Sequence, residues 1–367
     1  MSLLWKLEPA TEAKHRLNRS YLDAWWPIML QPSGQYGYER PRVTYVDAFA
    51  GPGKYLDGED GSPVFALDRL LNHTARDRMN LRRDRVYLIF IEKDKDRCAH
   101  LRTLLIERFG QLEQLPVTVI VREGEAATAT PELLTQTRAW DHPILAIFDS
   151  WGNVNIPFEL VGRIAGVRSG EVITTFGPNW FSRRESQDPS ELDRVFGGNQ
   201  YWQPAEREAR PDERWRAWLE TYRDSLKRAG FPYQLQFRVT PRTGQPLHLV
   251  FGTSSDKGVE VMKDAMWKVD GEEGMSFHDP RTREAVPAGQ MDLFREHDHH
   301  AELSELICQC LAPGEKSVED VREWLLRETA RWRRKDAISA LSKMRERNVV
   351  QTEPNGRIVR SSKVRLL

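Results

Sequence analysis

Over the first three hundred residues, short apolar runs rich in β-branched residues alternate with stretches whose apolar positions recur every three to four residues. The runs at 43–50 (VTYVDAFA), 85–92 (RVYLIFIE), 116–122, 142–149 (HPILAIFD) and 171–176 predict five strands. Between them, 62–72 predicts a helix with Ser62 as N-cap and Pro63 at its first position. The stretch 96–109 predicts a helix with Cys98, Leu101, Leu105 and Phe109 on one face, and 131–138 and 157–165 predict two more. Near-continuous apolar strands alternating with helices require a parallel sheet covered on both faces. Right-handed crossovers then make it doubly wound, a Rossmann-like α/β fold. Two further strands, 233–240 and 246–253, joined by a turn containing Gly244, predict an antiparallel pair at one edge. The polar, Trp-rich segment 179–229 ends in an amphipathic helix (Trp215, Trp218, Leu219, Tyr222, Leu226) and reads as an inserted cap or substrate-facing element.

The last residues carry a different pattern. An apolar stripe of Leu303, Leu306, Ile307 and Cys310 predicts a helix over 301–311. Ser317, with Asp320 three residues on, caps a second helix over 318–328. Ile338, Leu341 and Met344 face inward on a third, over 336–347. Segments 349–352 and 357–360 flank Pro354-Asn355-Gly356, a hairpin signal. Three helices and a hairpin resemble a winged helix. The expected organisation is an α/β domain over 1–278, a linker over 279–300 and a winged-helix-like module over 301–367.

Charge supports that division. The chain has 54 Lys and Arg against 54 Asp and Glu, which excludes a uniformly basic nucleic-acid coat. From Arg331 onward, however, 11 basic residues face 3 acidic ones. The third helix would expose Lys335, Lys343, Arg345 and Arg347, and the hairpin Arg357 and Arg360, where they can neutralise phosphates. Apolar runs of about six residues are far short of a membrane span. The N-terminal MSLLWKLEPATEAKH lacks an apolar core of signal-peptide length. Three cysteines cannot form a disulfide framework, so a cytoplasmic protein is expected. No four-ligand zinc spacing occurs; the run His297-Asp298-His299-His300 reads as linker, and no metal site is assigned.

In a doubly wound sheet, ligands sit beyond the carboxyl ends of the strands, where strand order reverses. The turn after the first strand reads Asp47-Ala48-Phe49-Ala50-Gly51-Pro52-Gly53. Its glycines let the backbone turn tightly and approach a ligand closely. The dinucleotide fingerprint G-x-G-x-x-G is absent because residue 56 is Leu, and a phosphate-binding Walker loop is absent because Lys54 lacks the required spacing and the following Ser or Thr. The missing third glycine argues against a nucleotide-dependent dehydrogenase. The spacing D-x-F-x-G-x-G resembles the first motif of S-adenosylmethionine (SAM)-dependent methyltransferases. The second strand ends in Glu92, followed by Lys93, and a carboxylate there is suited to both hydroxyls of a ribose. Gly124 and Glu125 follow the third strand, where an adenine edge would lie, and Asp149-Ser150-Trp151-Gly152-Asn153 follows the fourth.

The chain resembles the three-Cys-motif partner protein family (TcmP). The resemblance lies in Thr11-Glu12-Ala13-Lys14-His15 with Tyr21-Leu22-Asp23-Ala24-Trp25, and in Tyr45–Gly53 with Gly61-Ser62-Pro63. It extends to Glu92, Asp149, Phe251-Gly252-Thr253-Ser254 and Met262-Lys263-Asp264-Ala265-Met266-Trp267-Lys268, covering roughly residues 5–270. It implies a methyltransferase-like domain working with a three-Cys, radical-SAM-like protein. One departure stands out: the family tends to have Asp-Pro-Phe-Gly where this chain has Asp149-Ser150-Trp151-Gly152.

The expected activity is SAM-dependent methyl transfer to nucleic acid. Asp47, Phe49, Ala50, Gly51, Pro52 and Gly53 would hold the methionine end, and Glu92 and Lys93 the ribose side. Gly124 and Glu125 would lie near adenine, and Lys14 would reach the cofactor carboxylate. Asp149 and Asn179 would act on the target, with Asp149 also beside the cofactor, and Trp180 would stack a base. The alternative is a non-catalytic scaffold that keeps the fold and docks nucleic acid or the partner.

Overall fold

The computed structural model describes residues 3–34, 37–184, 188–208, 210–279 and 299–367. The chain divides into two compact units, Met1–Ser255 with Ser276–Thr282, and Asp256–Met275 with Arg283–Leu367. Most of the expected linker, together with His297 and Asp298, lies outside the described residues.

The first unit opens with α1 (Pro9–Leu30), followed by β1 (Val43–Asp47), α2 (Ser62–Leu71), β2 (Val86–Glu92), α3 (Lys95–Phe109) and β3 (Thr118–Glu123). Then come α4 (Ala126–Gln136), β4 (Ile144–Gly152), α5 (Phe158–Ala165) and β5 (Gly170–Phe176). Four helices follow, α6 (Pro178–Arg184), α7 (Pro189–Phe196), α8 (Asn199–Glu206) and α9 (Pro211–Ala229), before β6 (Tyr233–Thr240), β7 (Leu247–Thr253) and β8 (Ser276–His278). The strands form one eight-stranded sheet in the order β3-β2-β1-β4-β5-β7-β6-β8. The first five are parallel, and β7 lies antiparallel between β5 and β6. This is the expected mixed α/β architecture with a large, mostly parallel sheet. The order reverses between β1 and β4, which opens the crevice beyond Asp47 and Gly152.

Every residue of β1 and β5 is buried, as both-face coverage demands. The aromatic residues of 179–229 mostly serve the core rather than a cap. Phe176 stacks on Phe181 at 4.7 Å and on Tyr222 at 4.6 Å, and Trp218 stacks on Trp202 at 6.3 Å. Trp180 is the tryptophan of this stretch left exposed. Two helix starts differ from expectation. Gly61, not Ser62, is the N-cap of α2, with no side-chain cap bond. In α4 the helix begins at Ala126 and Pro131 sits inside it, a position that forgoes one backbone donor.

The second unit contains α10 (Asp256–Val269), α11 (His299–Leu311), β9 (Lys316–Ser317), α12 (Val318–Glu328), α13 (Asp336–Glu346), β10 (Val350–Glu353) and β11 (Lys363–Leu366). Ser317 and Asp320 form the expected capping box on α12. The second hairpin strand is Lys363–Leu366 rather than 357–360. The reason is burial: Val364 is fully buried opposite Thr352, whereas Val359 is exposed. Arg345 Nη1 donates to the Gly356 carbonyl at 2.6 Å and holds the intervening loop against α13. Arg357 and Arg360 therefore stand in that loop.

Lys263 ties α10 to the end of α12. Its fully buried ammonium donates to the carbonyls of Leu325, Leu326, Thr329 and Trp332 at 2.6–3.1 Å. Carbonyls left over at a helix C-terminus carry partial negative charge, which a cation complements. Burial nonetheless lowers its pKa to about 7, against the charge of Asp336.

Candidate cofactor site

Beyond Asp47 the chain turns sharply, with Gly51 at φ 63° and Gly53 at φ 80°. A Cβ on Gly53 would sit 2.6 Å from Leu101 Cδ1, so α3 packs onto a bare backbone here. Gly61 N–H donates to the Gly53 carbonyl at 2.8 Å and closes the loop beneath the turn. The Glu92 carboxylate, at the end of β2, is pointed at this turn. Its Oε2 accepts from Gly51 N–H at 2.9 Å and its Oε1 from Asp94 N–H at 2.8 Å.

Two cavities of about 50 and 330 Å³ flank the turn and share Trp5, Phe49, Gly51, Asp149 and Trp151 as walls. The smaller is lined also by Lys14, Asp47, Ala50, Pro52 and Gly53, the larger by Glu92, Lys93 and Glu125. The carboxyl ends of β1, β2 and β4 thus gather most of the residues expected to hold a cofactor. Gly124 is adjacent, its N–H donating to the Glu92 carbonyl at 3.0 Å. Lys93 and Glu125 are exposed and bonded to each other at 2.5 Å, which raises the Lys93 pKa.

Lys14 lines the smaller cavity, and its ammonium donates to both oxygens of Asp149, at 2.7 and 2.6 Å. It also lies 4.7 Å from the centre of the Trp151 ring. Burial pushes the Asp149 pKa up, but Lys14, the Thr175 hydroxyl and His15 together hold it below the usual value. Asp149 is therefore a committed anion at neutral pH. Asp47 is the opposite case. Its burial raises the pKa to about 6 despite hydrogen bonds from Ser62 and Phe49, with the charges of Asp149 and Glu92 adding to the rise.

Of the part of the site on α1, the sequence pointed to Lys14 alone and passed over Thr11, His15 and Asn18. Thr11, Lys14, His15 and Asn18 fall at i, i+3, i+4 and i+7, so they share one helix face. All four are buried and line the smaller cavity. A buried stripe of polar residues at helical spacing was the available signal. Burial holds the His15 pKa at about 3, with Lys14 and Arg19 adding to the effect, so its ring is neutral. Trp5, ahead of the helix, is the other addition. Its ring packs on the Gly51 turn and under the Arg97 guanidinium, 4.8 Å away. Trp5 Nε1, Thr11 Oγ1, His15 Nδ1, Asn18 Oδ1 and Ser150 Oγ are buried without hydrogen-bond partners. Such groups are costly to leave unsatisfied, at about 1–3 kcal/mol each, and these five border the two cavities.

A third cavity, of about 530 Å³, is lined by Trp151, Asn179 and Trp180. Asn179 is not in either wall of the first two; its Nδ2 donates to Gln245 Oε1 at 2.5 Å. In the second unit, several expected phosphate contacts are engaged internally. Lys335 pairs with Asp264 at 2.7 Å, Arg360 lies 3.8 Å from Glu319, and Arg345 braces Thr352 and Gly356. Lys343 is bonded to His300; it, Arg347 and Arg357 are exposed. The acidic residues of α10 absorb more of the basic run, with Arg334 bridging to Glu260 and Asp256 as well as Glu323.

No protein-family model and no curated protein matches the chain. Among solved structures it is similar to Trm1 from Pyrococcus horikoshii in complex with S-adenosyl-L-methionine, at 10% identity over 71% of this chain and 60% of that one, with a TM-score of 0.38. It is also similar to a precorrin-6y C5,15-methyltransferase from Geobacter metallireducens, at 12% identity over 66% and 87%, TM-score 0.31. A third is Aeropyrum pernix fibrillarin with natively bound S-adenosyl-L-methionine, at 10% identity over 64% and 76%, TM-score 0.28. At these values the likenesses carry no functional weight, and the chain spans 60% of the Pyrococcus protein's length.

Proposed function

We propose that the first unit binds S-adenosylmethionine and transfers its methyl group, as a Rossmann-like methyltransferase. The observation that carries this reading is the meeting, at the sheet's switch point, of a glycine turn, the Glu92 carboxylate and a stripe of buried, unsatisfied polar atoms on α1. The residues fit the group. Glu92 would hold the ribose hydroxyls, the exposed Lys93–Glu125 pair with Gly124 would border the adenine, and the Asp47–Gly53 turn with Thr11, His15 and Asn18 would take the methionine end. The sulfonium supplies an activated methyl carbon, so the protein's task is alignment and exclusion of water. Asp149, already bonded to Lys14, serves to fix that lysine and the Trp151 ring rather than to remove a proton.

The acceptor in this reading is nucleic acid. Helices α11, α12 and α13 with the three-stranded sheet of the second unit support a winged-helix-like module, with Lys343, Arg347 and Arg357 offered to phosphates. The TcmP resemblance adds a three-Cys partner protein. Calorimetry with SAM and with its demethylated product tests the cofactor, and transfer of labelled methyl into DNA or RNA tests the activity. A folded protein that binds neither compound at millimolar concentration sinks the reading. The scaffold alternative is favoured by the occupied Asp149, and SAM binding without transfer to any acceptor would establish it.

A further inference from the structure

We infer that the cleft beyond β4 and β5 takes one nucleobase from outside a helical stack, so that the acceptor is an unpaired base; this rests on the methyl-transfer reading above. Among the chain's twelve tryptophans, only Trp151 and Trp180 are exposed, at 47% and 39%, and both line the same 530 Å³ cavity. Cavities that hold small ligands are about 300–1,000 Å³. Exposing two indoles in one concavity forgoes burial that the other tryptophans obtain, and offers flat π-faces to a ring.

The backbone is arranged to present them. Trp151 has φ 57°, a left-handed conformation that a bulky residue seldom adopts. It sits where the β4–β5 register shifts between Phe148 and Gly152, and Gly177 N–H donates to the Gly152 carbonyl at 3.0 Å. The Trp180 N–H in turn donates to the Gly177 carbonyl at 2.9 Å. The strained strand end and the start of α6 are therefore locked to each other. Trp151 also walls both cofactor cavities, which puts the contents of the cleft next to theirs.

The rest of the lining is matched to a base rather than to an aromatic amino-acid side chain. Asn179 and Gln245 present amides already bonded to each other at 2.5 Å, Glu8 adds an acceptor, and Arg242 is exposed at the rim where a phosphate would pass. A base inside a duplex has both faces covered by its neighbours, so stacking on these indoles requires it to leave the stack.

The test is a fluorescence-anisotropy titration of the full chain with labelled mixed-sequence 12-nucleotide single strands, DNA and RNA, and with the corresponding blunt duplexes. Trp180→Ala, at an exposed position, is expected to weaken single-strand binding about tenfold and leave duplex binding unchanged. Trp180→Phe should recover most of the loss. Equal effects on single strand and duplex, no effect on either, or labelled methyl appearing in a peptide tyrosine or tryptophan instead of nucleic acid would overturn the inference. Calorimetric affinity for SAM should be the same in Trp180→Ala and wild type. Loss of SAM binding in the wild type defeats the cofactor reading, while the titration separately decides the cleft.

Discussion

Replacing Lys14 by Met isolates the electrostatic centre of the site. The ammonium is 1% exposed and bonded to an Asp149 side chain that retains 23% exposure. Removing one partner of a buried pair costs about 3–5 kcal/mol, and the partial exposure of Asp149 places this case near about 3 kcal/mol. For a unit of this size that lowers Tm by roughly 6 °C. The pH dependence carries the diagnosis. In the wild type the folded Asp149 pKa is depressed, so the pair's contribution is present above the unfolded value of about 3.9 and lost as pH falls through the folded one. In Lys14→Met, burial prevails and the folded pKa rises above about 3.9, so the variant loses stability as pH rises through that interval. The stability gap should therefore already be open near pH 4, from the wild-type pair, and widen further toward pH 7 as the variant's buried carboxyl is forced to ionise. Scanning calorimetry between pH 4 and 8 measures it, and adding Asp149→Asn should restore most of the loss. A gap under about 1 kcal/mol at pH 7, or one that does not change with pH, refutes the reasoning.

Gly61→Ala would put a Cβ 2.8–3.0 Å from the Gly53 backbone and force the turn open; overpacking of this kind costs about 1–3 kcal/mol, and calorimetry should show more than tenfold weaker SAM binding. Glu92→Gln keeps an acceptor for Gly51 N–H but turns an NH2 toward Asp94 N–H and loses the charge offered to the ribose, so SAM affinity should fall about 10- to 100-fold with a loss of stability of about 1–3 kcal/mol; unchanged affinity would remove Glu92 from the site. His248 is buried with its pKa lowered to about 4 by burial and by Arg238 and Arg223. It binds fewer protons folded than unfolded between pH 6.5 and 4, so acidification across that window should cost up to about 3 kcal/mol. His248→Gln should flatten that part of the stability profile, as read by urea denaturation at several pH values.

The strands and the glycine turn were legible because both are local. An apolar run such as 86–91 must be buried on both faces, and a turn that leaves no room for a Cβ must carry glycine. Sequence order then placed Asp47 and Glu92 at strand ends and Asp149 three residues before the end of β4, and the sheet brought them to one crevice. What a linear reading could not supply was which charges meet. The Lys14–Asp149 pair spans 135 positions, and the basic run after Arg331 is partly neutralised by carboxylates on α10, some seventy residues earlier. Residue type reveals that a side chain is charged or polar. Whether it faces water, a ligand or an opposite charge depends on which distant segment the packing of the core sets against it, and only the tertiary structure decides that.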